Sequence, residues 1–184
     1  INIVKNLIPK FDNIVIVGGM ANNILKYKGY NIGKSIQEDN CNKIIEEIFS
    51  LSKKENCKIV YPEDVAVGKN LNGTPIIKKA NKVSQDDLIL DIGPKSIQII
   101  NDLIEKSETI LWNGPLGVFE LETFSKGTVA LGNAIVSATE NGAFSLVGGG
   151  DSVAAAKQFN LSEKMSYVST GGGAMLESLE GKIL

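Results

Sequence analysis

Short apolar runs alternate with longer segments of helical periodicity along most of the chain. The runs are Ile14–Val17, Lys58–Tyr61, Leu88–Asp91, Thr109–Trp112, Phe144–Val147 and Tyr167–Ser169. Between the first two, residues 39–54 place Cys41, Ile45 and Ile48 on one face, which is the pattern of an amphipathic helix. The later runs are also followed by helical patterns, the last of them near Met175–Leu179.

Strands that alternate with helices predict the fold class. Crossover helices cover both faces of a parallel sheet, so its strands are short and apolar. We therefore expect an α/β fold with a three-layer, doubly wound, mostly parallel sheet of the Rossmann-like kind. Residues 62–86 fit this alternation of strands and helices less well. Val65 and Val67 alternate with other residues there, and Thr74–Ile77 resembles a short strand. The length of 184 residues corresponds to one domain.

The charged residues restrict the chemistry. All 19 basic residues are lysine, opposed by 21 acidic residues, and the sequence has neither arginine nor histidine. Arginine is the residue that most often binds base edges and phosphates in nucleic-acid complexes, so we expect no nucleic-acid partner. Without histidine, a Ser-His or Cys-His nucleophile and a histidine-bearing zinc site are excluded.

The apolar runs and the cysteines indicate in which part of the cell we expect the protein. No run approaches the roughly 18–20 residues of a membrane helix, so we expect no membrane partner. Cys41 and Cys57 lack metal-ligand spacing, and Cys41 lies in register with apolar core positions. Two core cysteines fit a reducing, cytoplasmic compartment best.

Five of the predicted strands run directly into glycine. The glycines are Gly18–Gly19, Gly93, Gly114, Gly148–Gly150 and Gly171–Gly173. The carboxyl ends of parallel strands share one edge of an open sheet, where ligands bind. Glycine lets backbone N–H groups approach an anion, and the helix that follows adds its positive dipole end. The pattern indicates a phosphate or nucleotide site.

The usual nucleotide fingerprints are absent. There is no G-x-x-x-x-G-K-[ST], and no G-x-G-x-x-G opens a strand–helix pair, which disfavours a dehydrogenase-type domain. Asp151 and Ser152 instead follow the triple glycine at a predicted helix start. Either one could be an N-cap, worth about 1 kcal/mol. As a pair they also suit Mg²⁺ and phosphate, because magnesium takes one or two carboxylates together with phosphate oxygens. Glu120 is either a ligand for ribose hydroxyls or a solvated loop charge.

Several motifs in one order carry a family resemblance. They are Val17–Ala21, Asn31–Ser35, Asp91–Pro94, Asn113–Glu120, Gly148–Ser152 and Ser169–Ala174 with Leu179–Lys182. Together they span nearly the whole chain and resemble the carboxy-terminal, nucleotide-binding domain of the phosphoglycerate kinases. The resemblance implies a transferase of glycolysis, a monomer that moves a phosphoryl group between 1,3-bisphosphoglycerate and ADP in the presence of Mg²⁺, giving 3-phosphoglycerate and ATP.

The resemblance also assigns roles to residues of this sequence. Gly18 and Gly19 would lie against adenine, and Glu120 would bind the ribose. The remaining nucleotide ligands would be Asn113, Gly114, Leu116, Gly148, Gly149, Gly150 and Ser152, and the metal ligand would be Asp151. The amides of Gly171, Gly172 and Gly173 would face the transferring phosphoryl group as the catalytic element.

The resemblance covers one half of a two-domain kinase. Residues 1–184 would form the nucleotide domain, while the amino-terminal domain that holds the phosphoglycerate would be absent, so we expect this piece alone to be inactive. The alternative is a nucleotide-binding module without catalysis.

Overall fold

The computed structural model describes residues 2–169. Its helices are α1 (Asn2–Leu7), α2 (Gly18–Tyr27), α3 (Asn42–Lys54), α4 (Pro94–Glu105), α5 (Lys126–Glu140) and α6 (Gly150–Gln158). Its strands are β1 (Asn13–Val15), β2 (Lys58–Val60), β3 (Asp64–Gly68), β4 (Ile76–Lys79), β5 (Leu88–Ile92), β6 (Thr109–Trp112), β7 (Phe144–Val147) and β8 (Tyr167–Val168). The predicted helix near Met175–Leu179 lies outside the described residues.

The first part of the chain is a small parallel unit. β1 pairs with β2, Ile14 opposite Ile59, and α2 and α3 pack beside this pair. The buried core contains Val4, Ile8, Ile24, Ile45 and Ile48. Cys41 is buried as expected, although it stands just before α3.

The middle of the chain is antiparallel, which the sequence pattern did not predict. β3 lies between β4 and β5 and pairs antiparallel with both. The connection from Lys69 to Pro75 is a short loop, which can join antiparallel but not parallel neighbours. All five residues of β3 are buried, whereas three of the four residues of β4 are exposed. The exposed residues of β4 include Ile76 and Ile77, so the apolar character of a residue does not indicate its burial in this part of the chain.

The last described part confirms the predicted α/β class. β6, β7 and β8 form a parallel sheet in that order, with Thr109 opposite Phe144 and Trp112 opposite Val147. α4 packs on α5. The core on this side includes Trp112, Ile135, Val147, Ala155 and Leu161. In the described part, no helix combines the length and the apolar character that a membrane crossing requires.

Candidate nucleotide site

The loops that follow β6 and β7 meet at the carboxyl edge of their sheet. The Gly148 N–H donates to the Trp112 carbonyl oxygen at 2.9 Å, so strand pairing continues into the glycine run. Gly149 has a φ of +88°, and a Cβ placed on it would lie 2.5 Å from Asn113 Oδ1. The positive φ favours glycine there, and a side chain would also require the Asn113 amide to move.

Ser152 ties these two loops together. Its side chain is buried, with the residue 1% exposed. The Gly114 N–H donates to Ser152 Oγ, and Trp112 Nε1–H donates to the Gly114 carbonyl oxygen at 2.8 Å. The N–H of Gly114 is therefore held by a side chain of α6, and its carbonyl oxygen is held by a side chain of β6.

The β1 junction adjoins the same loop. Gly18 opens α2 with a φ of +67°, and a Cβ placed on it would lie 3.8 Å from the Pro115 carbonyl oxygen. Both Gly18 and Gly19 are exposed. Three of the glycine junctions predicted from the sequence, those after β1, β6 and β7, therefore form a continuous surface.

Ile36 extends this surface beyond Gly19 and was not among the residues predicted for the site. A Cβ on Gly19 would lie 3.7 Å from Ile36 Cγ2, and Ile36 is 81% exposed although it is apolar. The buried Asn22 Nδ2 donates to the Ile36 carbonyl oxygen at 3.0 Å, which fixes this part of the loop against α2. The available signal was an aliphatic residue within the polar stretch Lys34–Asp39.

Asp151 is free of the capping role that was one of its two interpretations. The N-cap of α6 is Gly149, and no side chain makes a capping hydrogen bond there. Asp151 is exposed in the first turn of the helix, beside the glycine run. Among the described residues, no three histidine, cysteine or acidic side chains are grouped so that they could hold a metal ion by themselves. A lone carboxylate suits a metal that takes its remaining ligands from phosphate and water, as Mg²⁺ does.

A cavity of about 240 Å³ lies beneath this surface, between β1 and β6. Val17, Asn113 and Gly114 line it on the site's side, while its other walls include Ile100 and Ile110. Its lining is mostly apolar, which suits phosphate poorly, because burying a charge with few polar partners is destabilising. The exposed glycine surface is the better candidate for an anionic ligand.

The comparisons with known proteins identify the family. The family model for phosphoglycerate kinase matches residues 1–182. The chain belongs to the phosphoglycerate kinase family. The phosphoglycerate kinase of Francisella philomiragia is 44% identical over 186 residues, which are 100% of this chain and 47% of that protein. That of Porphyromonas gingivalis is 45% identical and is covered over 44% of its length.

A solved structure agrees with this assignment. Phosphoglycerate kinase from Coxiella burnetii superimposes with a TM-score of 0.93 at 42% identity, over 99% of this chain and 46% of that one. The structure of the Pyrococcus horikoshii phosphoglycerate kinase gives a TM-score of 0.79 at 28% identity. The chain thus spans slightly less than half the length of these phosphoglycerate kinases.

Two residues expected from the phosphoglycerate kinase resemblance have different surroundings. Leu116 is 4% exposed and belongs to the core around Trp112, while its backbone N–H donates to Thr128 Oγ1 at 3.3 Å. Glu120 is exposed next to the buried Phe119. Leu116 therefore shapes the loop by packing, whereas the Glu120 carboxylate is open to a ligand. Their contacts with nucleotide remain predictions.

At the glycine junction after β5, a side chain of the protein occupies the place where an anion would bind. The helix that follows Gly93 receives the Asp64 carboxylate at its N-terminus, where the backbone N–H groups of Lys95 and Ser96 donate at 3.0 and 2.8 Å. A Cβ on Gly93 would overlap the same carboxylate. The expectation that Gly93 contributes to an anion site is wrong, because Asp64 occupies that position. The predicted junction at Gly171–Gly173 lies outside the described residues.

Proposed function

We propose that the chain is the ADP/ATP-binding half of a phosphoglycerate kinase, which transfers a phosphoryl group between 1,3-bisphosphoglycerate and ADP. The observation that carries the proposal is the continuous surface from Ile36 through Gly19, Gly18 and Pro115 to the loops joined by Ser152. It has an apolar end and an end rich in backbone N–H groups. A nucleotide has the same polarity along its length.

The nucleobase is assigned to the Ile36 end. Gly18 and Gly19 leave a flat, exposed strip of backbone at the start of α2, and the exposed Ile36 borders it. A planar base packs well on such a strip, and the aliphatic side chain covers one of its faces. Removing Ile36 from water stabilises the complex through ordinary apolar burial.

The ribose and phosphates are assigned to the loops after β6 and β7. Asn113 and Glu120 are exposed there, and the Glu120 carboxylate can accept hydrogen bonds from ribose hydroxyls. Gly148, Gly149 and Gly150 lead into the N-terminus of α6, where unpaired N–H groups and the helix dipole favour phosphate oxygens. Ser152 positions Gly114 from beneath.

The residues present fit Mg²⁺. Asp151 is exposed at the phosphate end and is not used as a cap, so its carboxylate can hold the ion while phosphate and water supply the other ligands. When bound, the ion neutralises phosphate charge during transfer. The chain's own residues orient the nucleotide, which is what phosphoryl transfer requires, since it needs no protein nucleophile.

The phosphoglycerate is assigned to the part of the kinase that this chain does not include. The relatives are about twice as long, and the present sequence has no arginine with which to grip a second phosphorylated substrate. Gly171–Gly173 are proposed to face the transferring phosphoryl group. The enzyme is proposed to be a cytoplasmic monomer that acts in glycolysis.

An activity assay tests this assignment. The 184-residue chain is incubated with 1,3-bisphosphoglycerate, ADP and Mg²⁺, and ATP formation is compared with that of an intact phosphoglycerate kinase. We expect negligible turnover together with measurable binding of ADP, because positioning of the acceptor supplies roughly 7–11 kcal/mol of such a barrier. Turnover close to that of the intact enzyme would contradict the proposal that the phosphoglycerate binds to a part of the kinase outside this chain. Absence of ADP binding would contradict the nucleotide site itself.

A further inference from the structure

Asp91 is a buried carboxylate that the proposed site does not use directly. It lies in β5 and is 2% exposed. Its Oδ1 accepts a hydrogen bond from the Ile92 N–H at 2.8 Å, and its Oδ2 accepts one from the Gly127 N–H, in the first turn of α5, at 3.0 Å. A buried carboxylate with two backbone donors links a strand to the start of a helix.

Two glycines from different segments make room for this carboxylate. A Cβ on Gly117 would lie 2.8 Å from Asp91 Oδ1, and a Cβ on Gly127 would overlap the same oxygen. Gly117 belongs to the loop that follows β6, and Gly127 belongs to α5. The loop and the helix therefore close around Asp91 from two sides.

The same loop is held to β5 by backbone bonds. The Val118 N–H donates to the Leu90 carbonyl oxygen at 2.9 Å. One residue earlier than Gly117, the Leu116 N–H donates to Thr128 in α5. The carboxyl-terminal half of the loop thus rests on β5 and α5, while its amino-terminal half holds Asn113 and Gly114 at the proposed nucleotide site.

We propose that Asp91 is a positioning residue for nucleotide binding, whose carboxylate sets the place of the Asn113–Glu120 loop by fixing Gly127 and packing against Gly117. This inference rests on the proposed function, since it explains how the loop is held where a nucleotide would meet it. Asp91 does not touch the nucleotide, because it lies beneath the loop.

The surroundings of Asp91 give the proposal a readout in pH. Burial raises the pKa of Asp91 to about 6, against the opposing effects of the Gly127 and Ile92 amides and of the Lys126 charge in α5. From β3, Asp64 directs its carboxylate to the N-terminus of α4. The loop has no ionisable side chain from Asn113 to Phe119. The chain also has no histidine, the residue that ordinarily titrates near this pH.

Trp112 reports on the loop without any nucleotide. It is the one tryptophan of the sequence, and its indole N–H binds the Gly114 carbonyl oxygen. We expect Trp112 fluorescence to change with an apparent pKa near 6 in the parent chain, and to lose this transition in Asp91→Asn. A parent chain without the transition, or a transition that persists in Asp91→Asn, would overturn the proposal even if ADP binding failed for other reasons.

ADP titrations provide the second readout. Asp91→Asn should weaken ADP binding about 10-fold to 100-fold at pH 7.5, because the Gly127 N–H loses a charged hydrogen-bond acceptor. Gly127→Ala, which crowds the same carboxylate, should weaken it in the same direction. Asp64→Asn is the matched control, because Asp64 is also buried and also binds the start of a helix, and its carboxylate accepts hydrogen bonds from Lys95 and Ser96 at the start of α4.

The control separates positioning from general stability. We expect Asp64→Asn to lower the unfolding temperature while the affinity for ADP stays within twofold of that of the parent. Equal losses of affinity in Asp91→Asn and Asp64→Asn, or parental affinity in Asp91→Asn, would overturn the proposal. No ADP binding by the parent chain would instead contradict the proposed function and leave the fluorescence result to decide the role of Asp91.

Discussion

Asp151 is the residue whose assignment gained most from the structure. From sequence, a helix cap and a metal ligand were both open, because an acidic residue after a glycine run fits either role. The N-cap is Gly149, so the carboxylate remains exposed in the first turn. A single negative charge in this position can bind a metal ion or interact with the helix dipole. Only in the first role does its effect on nucleotide affinity depend on the metal.

Asp151→Asn should weaken binding of Mg·ADP far more than binding of metal-free ADP. The change removes an anionic oxygen ligand but keeps the shape of the side chain. Calorimetric titrations with Mg²⁺ and with a chelator measure the two affinities, and Asp102→Asn, an exposed change in α4, serves as the control. Equal losses under both conditions would show that Asp151 holds no metal.

Glu120→Gln should weaken adenosine and ADP alike, by roughly 1–3 kcal/mol if the carboxylate accepts hydrogen bonds from the ribose. Glu122→Gln is the matched control, since Glu122 is also exposed and lies only two residues along the chain. Titrations with adenosine isolate the effect from the phosphates. Parental affinity for adenosine in Glu120→Gln would leave Glu120 as a solvated loop charge.

Ile36→Ser should lower affinity for adenosine by about 1–2 kcal/mol, because the base would lose an apolar neighbour. Since Ile36 is 81% exposed, its removal should leave the unfolding temperature nearly unchanged. Ile77→Ser, at 52% exposure in β4, is the control. If both variants bind adenosine as tightly as the parent, the base does not lie at the Ile36 end.

At the scale of elements, the strands and their glycine ends could be predicted because local composition determines them. The run Phe144–Val147 is apolar and ends in three glycines, and the structure gives a strand with the same bounds. Thr74–Ile77 was recognised as a possible strand, but its antiparallel pairing with β3 was not predicted, because pairing depends on contacts between segments and not on local composition. The surroundings of Gly93 and Ile36 could not be predicted either, because they depend on long-range contacts. The Asp64 carboxylate lies against Gly93, and Ile36 lies beside Gly19.

Gly149→Ala tests the join between the loops after β6 and β7. Gly142 also has positive φ, +105°, but nothing lies within 4 Å of a Cβ placed there, so Gly142→Ala is a control for backbone strain alone. We expect Gly142→Ala to cost about 1 kcal/mol of stability, and Gly149→Ala to cost more and to weaken ADP binding as well. Chemical denaturation and calorimetry measure the two effects. Identical behaviour of the two variants would mean that Asn113 yields without disturbing the site.

At the scale of the whole molecule, the site depends on contacts between distant parts of the chain. Residues from α2, the loop after β6 and the start of α6 form one surface only because their strands end at neighbouring positions. The sequence indicated that such an edge exists, but it could not show which of the five glycine junctions share it. Side chains decide that question, as Asp64 does at Gly93 and Ser152 does at Gly114.

The central claim is that the junctions after β1, β6 and β7 together bind a nucleotide. Amide chemical shifts of the ¹⁵N-labelled 184-residue chain, recorded during titration with Mg·ADP, test it most directly. We expect saturable changes at Gly18, Gly19, Gly114, Gly149, Gly150 and Asp151. We expect none at Gly93, because the Asp64 carboxylate already occupies that junction. No changes up to several times the ADP concentration that saturates an intact phosphoglycerate kinase, or changes centred on Gly93, would contradict it.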